Sequence, residues 1–194
     1  MGYPKALLEF RGRTFLQSIL EASAAAGIQR RIVVLGPNGD KILKHLDLQD
    51  VTVVSTQEFE AGPIGSIRAA IREIQLQPVN GLLVWPVDMP HVTILTVETL
   101  LDAFREGHAP IAVPTFEGKG GHPVIFGRAV FEELLHAPDE EGAKAVVRAD
   151  PGRVLQVEVD DPAIVEDLNT PSEYQSMMRR EDEVSSNEGV EKRH

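Results

Sequence analysis

Short apolar runs alternate with longer segments of helical period along most of this chain. The runs expected to form strands are residues 31–35, 51–55, 81–86, 110–114, 123–126 and 154–159. The segments expected to form helices between them include residues 14–26, 64–75 and 96–106. Strands that alternate with helices are typical of βα units around a mainly parallel sheet, so the sequence predicts a three-layer, Rossmann-like α/β fold.

The run Leu82, Leu83, Val84 and Trp85 is apolar without alternation, as expected of a strand covered on both faces. We therefore expect this strand to lie at the centre of the sheet. In open α/β sheets, ligands bind beyond the carboxyl ends of the strands, and Asp88 follows this run directly. Its carboxylate is placed to hold Mg²⁺, which prefers one or two carboxylates together with phosphate oxygens and water. The alternative is that Asp88 only starts a turn or caps the following helix.

The composition indicates one domain with a polar end. The chain has 194 residues, 42% of them hydrophobic, and we expect residues 1–180 to form the domain. Residues 181–194 have few apolar side chains to bury, so we expect a disordered tail there. A formal net charge of -11 argues against nucleic-acid binding, which needs clustered Lys and Arg. No stretch is apolar for the length of a membrane helix, and we expect a cytoplasmic protein without a membrane partner.

The first residues, Met1-Gly2-Tyr3-Pro4-Lys5, resemble the end of a longer motif, Leu-Ala-Ala-Gly-x-Ser-x-Arg-Met-Gly-x-Pro-Lys. That motif opens the nucleotidyltransferases of the molybdenum cofactor family, which include molybdopterin cytidylyl- and guanylyltransferases. The resemblance extends over nearly the whole chain. It implies the nucleotidyltransferase fold, and it also implies that the first β-strand and the glycine-rich loop of that fold lie upstream of residue 1.

Five residues are expected to bind the nucleotide. Gly62, Gly65 and Ser66 lie at the start of a predicted helix. The free backbone N–H groups at a helix start let an anion, a base or a ribose approach. Gly-Pro is also a common helix boundary where no ligand binds. The matching stretch of the resembled family lines the base and substrate pocket. The resemblance also implies nucleotide binding by Gly2 and Lys5. The Lys5 ammonium would stabilise charge on the triphosphate and so act in catalysis, the alternative being a surface lysine.

The remaining expected site residues concern the metal and the acceptor. Asp88-Met89-Pro90 resembles the Asp-x-Pro metal-binding segment of the family, which implies that Asp88 is both a metal ligand and catalytic. The resemblance places Asn169 where it can supply an oxygen near the same Mg²⁺. Gly121 and His122 resemble the segment that faces the acceptor phosphate. A glycine-rich hairpin with incidental polar residues is the alternative for these two.

Helix capping explains part of the segment around Asn169 without any ligand. Thr170 can be an N-cap, Pro171 would occupy the first helical position, and Glu173 stands at the spacing of a capping box. Capping accounts for neither Asp167 nor Asn169. The two interpretations of this segment are compatible.

The resemblance implies transfer of a nucleoside monophosphate, with CMP favoured, from a nucleoside triphosphate to a phosphorylated acceptor, with release of pyrophosphate. The implied substrates are CTP or GTP and molybdopterin, and the implied protein partner is a molybdoenzyme or its chaperone. Pro4-Lys5-Ala6 is closer to the cytidylyltransferase branch. Two alternatives stay open: a sugar-phosphate nucleotidyltransferase of the same architecture, and a degenerate, non-catalytic nucleotide-binding domain.

Overall fold

The structure is a computed structural model that describes residues 3–37, 39–168, 170 and 172–176. The strands are β1 (Glu9–Phe10), β2 (Arg13–Thr14), β3 (Ile32–Leu35), β4 (Thr52–Ser55), β5 (Gly81–Val84), β6 (Ile111–Phe116), β7 (Lys119–Gly120), β8 (Val124–Gly127) and β9 (Val154–Glu158). The helices are α1 (Phe15–Ala25), α2 (Gly39–Leu43), α3 (Pro63–Ile74), α4 (Ile94–Glu106), α5 (Phe131–Leu135) and α6 (Ala143–Ala149). The six predicted strands and three predicted helices are all present. The predicted tail, residues 181–194, lies outside the described residues.

The predicted α/β fold is confirmed, and its sheet is mixed. Strand β3 pairs in parallel with β4, and β6 pairs in parallel with β9. Strand β8 runs antiparallel between β5 and β6, giving a five-stranded sheet that also holds β7. The chain reverses from β6 into β8 through a short connection, and a connection of that length can join only antiparallel strands.

Helix α3 covers one face of both sheets. Its residues Ile67 and Ile71 belong to one buried cluster against which Ile32 of β3 and Leu82 and Val84 of β5 also pack. This shared cover requires the β3–β4 sheet and the five-stranded sheet to lie in one layer.

Helix α1 and the residues after it cover part of the opposite face. Leu16 of α1 is buried with Val33 and Leu35 of β3, whereas Ala26 belongs to the cluster that packs against Leu83 of β5. Alternate residues of β3 and β5 therefore point to opposite covering layers, as strand geometry requires.

The prediction that the strand containing Leu82 and Val84 is central was wrong for the described residues. Strand β5 lies at the edge of its sheet, paired only with β8, and its four residues are half-buried. An apolar run without alternation reports two covered faces, and it carries no information about whether both edges are paired. In the described part of the chain no strand pairs with the second edge of β3 or of β5, so the layer consists of two sheets that share no strand pairing.

This division predicts unequal local stability. The amide of Thr52, hydrogen-bonded to the carbonyl of Arg31 in the two-stranded sheet, should exchange at least about tenfold faster than the hydrogen-bonded amides of β8. Amide hydrogen exchange at equilibrium measures both sets in one sample. Equal protection would show that β3 and β4 open only when the whole domain unfolds.

None of the helices in the described part of the chain combines the length and the apolar character needed to cross a bilayer.

Candidate active site

Lys5 and Asp88 form an ion pair at one end of the sheet layer. The Lys5 Nζ lies 2.9 Å from the Asp88 Oδ2, and the two side chains are 28% and 21% exposed. Lys5 begins a 3₁₀ turn, Lys5–Leu7, whose Ala6 and Leu7 are buried in the cluster that holds Leu35 at the end of β3. The structure thus brings together the two residues for which the sequence predicts catalytic roles.

The turn that carries Asp88 is fixed by its own hydrogen bonds. After β5, the amide of Met89 donates to the carbonyl of Pro86 at 3.2 Å, and the indole Nε1 of Trp85 donates to the carbonyl of Met89 at 2.9 Å. Met89 is buried. Asp88 therefore projects from a rigid turn at the end of an apolar strand, as the sequence predicts.

The segment after β9 returns to this turn. The amide of Leu168 donates to the carbonyl of Asp88 at 3.0 Å, and the Leu168 side chain is buried with Phe10 and Phe15. This contact brings Asp167 to the same side of the domain as Asp88. Asn169, the other predicted metal ligand, lies outside the described residues, as does Gly2.

The predicted capping box is present next to this segment. The amide of Glu173 donates to the Thr170 Oγ1 at 3.2 Å, and the amide of Thr170 donates to the Glu173 carboxylate at 2.7 Å. Pro171 lies outside the described residues. Capping therefore explains Thr170 and Glu173 without a ligand.

A buried aspartate anchors the start of the same segment. Asp161 is 5% exposed, and its carboxylate accepts hydrogen bonds from the amide and hydroxyl of Thr93, the hydroxyl of Thr96 and the amide of Ala163. Thr93 is the N-cap of α4. Asp161 thus joins the first turn of α4 to the segment that leads to Asp167.

Gly121 and His122 pack against that segment from the other side. The amide of His122 donates to the carbonyl of Ile164 at 2.9 Å, and a Cβ added to Gly121 would lie 2.1 Å from the same oxygen. Only glycine fits at position 121 without moving the backbone. Close backbone packing is therefore a sufficient reason for this glycine.

His122 lies within electrostatic reach of Asp88 and Asp167. Burial lowers the pKa of His122, the two carboxylates raise it, and Lys144 lowers it further, with a net shift below the usual value. The imidazole is therefore neutral at neutral pH. Its Nδ1 is buried and has no hydrogen-bond partner among the described residues.

Gly62, Gly65 and Ser66 lie at the start of α3, as predicted. Gly62 has φ of 69° and caps the helix, a left-handed conformation that favours glycine. A Cβ added to Gly65 would lie 2.0 Å from the carbonyl oxygen of Glu58, so the preceding 3₁₀ turn packs directly on this residue. Backbone conformation accounts for Gly62 and close packing accounts for Gly65, whereas Ser66 is half-buried in the same turn of helix.

Three residues of the site region carried no clear signal in the sequence. Asp161 stands next to residues that are common in turns, so its sequence context indicates only a turn. Arg68 lies within a helix that has no recognised motif around this residue. Lys144 lies near a glycine at the start of a short helix. The Gly142-Ala143-Lys144 order could have marked a helix start, but it does not indicate a ligand.

The donor set suits a hard divalent cation completed by a substrate. Asp88 already holds a cation, the Lys5 ammonium, against one oxygen, and both Asp88 and Asp167 offer carboxylate oxygens. Within the described residues, no three His, Cys, Asp or Glu side chains converge on a metal position. Mg²⁺ needs only one or two carboxylates when triphosphate oxygens and water complete its shell, so the residues fit this ion.

Comparisons with known proteins identify relatives over most of the chain. A family model, the MobA-like NTP transferase domain, matches residues 1–155. The nicotine blue oxidoreductase of Paenarthrobacter nicotinovorans is 26% identical over 86% of this chain and 84% of the relative. The molybdenum cofactor cytidylyltransferase of Escherichia coli is 21% identical over 95% of this chain and 92% of the relative.

The solved structures give the same result for the fold. Rv0371c of Mycobacterium tuberculosis superposes with a TM-score of 0.81 at 26% identity, covering 92% of this chain and 90% of that chain. A second structure of Rv0371c, a complex with manganese, has a TM-score of 0.76 at 26% identity and covers 91% of each chain. A related structure thus contains a divalent metal ion.

Proposed function

Because this chain belongs to the MobA-like NTP transferase domain family, and is therefore a nucleotidyltransferase, we propose that it transfers CMP from CTP to molybdopterin and releases pyrophosphate. The observation that carries the proposal is the ion pair between Lys5 and Asp88 at the end of β5, with His122 within electrostatic reach. The cytidylyltransferase among the relatives supports the choice of CTP and of a pterin acceptor.

In this reaction an oxygen of the acceptor phosphate attacks the α-phosphorus of CTP. The bond from that phosphorus to the bridging oxygen of the β-phosphate breaks, and pyrophosphate leaves with the electron pair. No covalent enzyme intermediate is needed, so catalysis consists of positioning and of charge stabilisation. Lys5 would neutralise charge on the triphosphate, and the half-buried position of its ammonium strengthens that effect.

Asp88, Asn169 and Asp167 are the residues that we propose to hold Mg²⁺, with Asp88 the main ligand. Held there, Mg²⁺ would supply positive charge that offsets the negative charge on the triphosphate and on the leaving pyrophosphate. Lys5 then moves from Asp88 to the phosphates when substrate binds. The turn bonds of Pro86 and Met89 hold the Asp88 backbone in place during that exchange.

Gly62, Gly65 and Ser66 are proposed to face the nucleotide, and Gly2 and Lys5 are proposed to bind it as well. Gly121 and His122 are proposed to face the acceptor, and the neutral imidazole of His122 would donate a hydrogen bond rather than a charge. We place the reaction in the cytoplasm and propose a molybdoenzyme or its chaperone as the receiver of the product.

We expect CTP to be preferred over GTP. A pocket whose buried polar groups pair with one base leaves them unpaired with another, at about 1–3 kcal/mol for each group. One or two such mismatches, about 1–6 kcal/mol together, give roughly fivefold to ten-thousandfold discrimination in kcat/KM. Product assays with both nucleotides, Mg²⁺ and molybdopterin measure the ratio.

The outcomes of this assay separate the candidate functions. Equal use of CTP and GTP, or a preference for GTP, would indicate that the reaction is guanylyl transfer. Product formation only with a sugar phosphate would show that the acceptor is a sugar phosphate and not molybdopterin. Binding of CTP without any product would indicate a non-catalytic domain.

A further inference from the structure

Two segments of the chain pack directly on the first turn of α3, where the nucleotide is proposed to bind. The 3₁₀ turn Glu58–Ala61 comes so close that a Cβ added to Gly65 would lie 2.0 Å from the carbonyl oxygen of Glu58. The loop before α6 is the other segment, and a Cβ added to Gly142 would lie 3.7 Å from the Cβ of Ile64. Both segments are therefore immediate neighbours of the helix start.

Arg68, one turn further along α3, is bonded to both of these segments. Its Nη1 lies 2.8 Å from the Asp139 Oδ1 and 3.7 Å from the Glu58 Oε2. Its Nη2 also donates to the carbonyl of Ala137. A single guanidinium thus connects the turn before α3 to the loop that runs from α5 toward α6.

The surroundings of Arg68 are unfavourable for a residue that only stabilises the fold. Its side chain is 11% exposed, and its Nε is buried without a hydrogen-bond partner among the described residues. A buried, unpaired donor costs free energy, and apolar side chains in place of a buried ion pair often give equal or greater stability. What an arginine provides there is direction, because its planar fork of donors holds the acceptors around it in one arrangement.

The neighbouring Arg72 shows the difference between holding one segment and holding two. It lies one turn after Arg68 on α3, it is paired with the same Glu58 carboxylate, and its side chain is 51% exposed. Within the described part of the chain, Arg72 has no hydrogen bond or ion pair to residues 137–139. Arg72 therefore holds the turn before α3 from the surface, whereas Arg68 holds that turn and the loop before α6 from the interior.

We propose that Arg68 is a positioning residue for the nucleotide. It holds the turn before Gly62 and the loop before α6 against the start of α3, and so keeps the backbone N–H groups of that helix start in the arrangement that binds. This inference rests on the proposed function, because that function places the nucleotide at Gly62, Gly65 and Ser66. It adds a residue to which the sequence motifs assign no role.

The kinetic test is Arg68→Met, which keeps the length of the side chain and removes its donors. The two released segments must be ordered again when the nucleotide binds, so the KM for CTP should rise about fivefold to twentyfold. The kcat and the KM for molybdopterin should change less than about twofold, because Lys5 and Asp88 lie on other elements. A loss of folded protein would instead lower kcat and leave both KM values unchanged.

The matched control is Arg72→Met, the same change one turn further along α3. It removes an exposed ion pair with the same glutamate, so it should alter kcat and both KM values less than about twofold. An unchanged KM for CTP in Arg68→Met would overturn the proposal. Equal increases in the two variants would also overturn it, since they would reflect only the removed charge.

Binding without transfer provides a second readout. Isothermal titration with CTP and Mg²⁺, without acceptor, should show the same rise in Kd for Arg68→Met and no rise for Arg72→Met. Titration with GTP separates this proposal from the proposed function. Binding of GTP that depends on Arg68, with no binding of CTP, would support the positioning role and refute the choice of CTP. Binding of neither nucleotide by the wild-type protein would overturn both proposals.

Asp139→Asn tests the same contact from its exposed end, and it keeps the test valid if Arg68→Met does not fold. The Asp139 carboxylate is 56% exposed, so the loss of its charge leaves no buried, unpaired group. The Kd for CTP should rise about twofold to fivefold. The double variant with Arg68→Met should bind CTP no more weakly than Arg68→Met alone, because both changes act through one contact. An unchanged Kd in Asp139→Asn, or effects that multiply in the double variant, would overturn the positioning role.

Discussion

Asp88→Asn is expected to lower the rate of nucleotidyl transfer by about a hundredfold or more while leaving the free energy of unfolding nearly unchanged. The amide keeps the shape of the side chain but removes the negative charge that would hold Mg²⁺ against the triphosphate. The stability cost is small because a partly exposed ion pair such as Lys5–Asp88 contributes at most about 1 kcal/mol. The backbone carbonyl that accepts from Leu168 is unaffected.

The measurement compares kcat at saturating Mg²⁺ with the free energy of unfolding from urea titration. Asp102→Asn is the matched control, since Asp102 lies on the exposed surface of α4 in an ion pair with Arg105. A fully active Asp88→Asn enzyme would show that Asp88 only forms a turn. An unfolded variant would show that its carboxylate is structural, and in either case the metal site would have to lie elsewhere.

The positions of the long elements could be predicted from sequence because local pattern determines them. Helix α3 has apolar residues at helical spacing, and all of those that face the sheets are buried. The capping box of Thr170 and Glu173 follows from a short-range spacing rule. The placement of Lys5 beside Asp88 could not come from pattern, because 83 residues separate them. It came from the motif resemblance alone.

The elements that pattern missed depend on tertiary structure. The β1–β2 hairpin turns through Arg11 and Gly12, and Arg11 has φ of 51°, a conformation that its residue type does not signal. Strand β5 was predicted to be paired on both edges because its sequence is an apolar run. Such a run indicates only that both faces of the strand are covered, and β5 lies at the edge of its sheet. Helices α5 and α6 are too short to show a clear period.

Some of the site residues could be selected from local sequence, whereas the roles of others depend on tertiary structure. Gly65 and Gly121 were selected for ligand binding, and the structure gives each a packing reason, since a Cβ would meet the carbonyl of Glu58 or of Ile164. These reasons do not compete with binding, because a glycine that lets two backbone segments touch also shapes the pocket between them. Asp161 went unnoticed because the hydrogen bonds that it accepts from Thr93 and Thr96 form only in the folded chain.

Asp161→Ala is expected to cost about 3–5 kcal/mol of the free energy of unfolding, the largest stability effect among the residues around the site. The carboxylate is 5% exposed and satisfies four donors from Thr93, Thr96 and Ala163. Its removal leaves the two amides buried and unpaired, whereas the two threonine hydroxyls can rotate to other acceptors. Asp161→Asn should cost less, about 1–3 kcal/mol, because one amide oxygen can still accept.

The control is Asp160→Asn, which makes the same chemical change at the neighbouring exposed position and should alter stability by less than about 0.5 kcal/mol. Urea unfolding of the three variants gives the comparison directly. Asp161→Asn that remains folded should also lose activity, because Asp161 anchors the segment whose Leu168 amide binds the carbonyl of Asp88. Equal stability of the Asp160 and Asp161 variants would mean that α4 and this segment are held together by the apolar contacts of Ala163 and Ile164 instead.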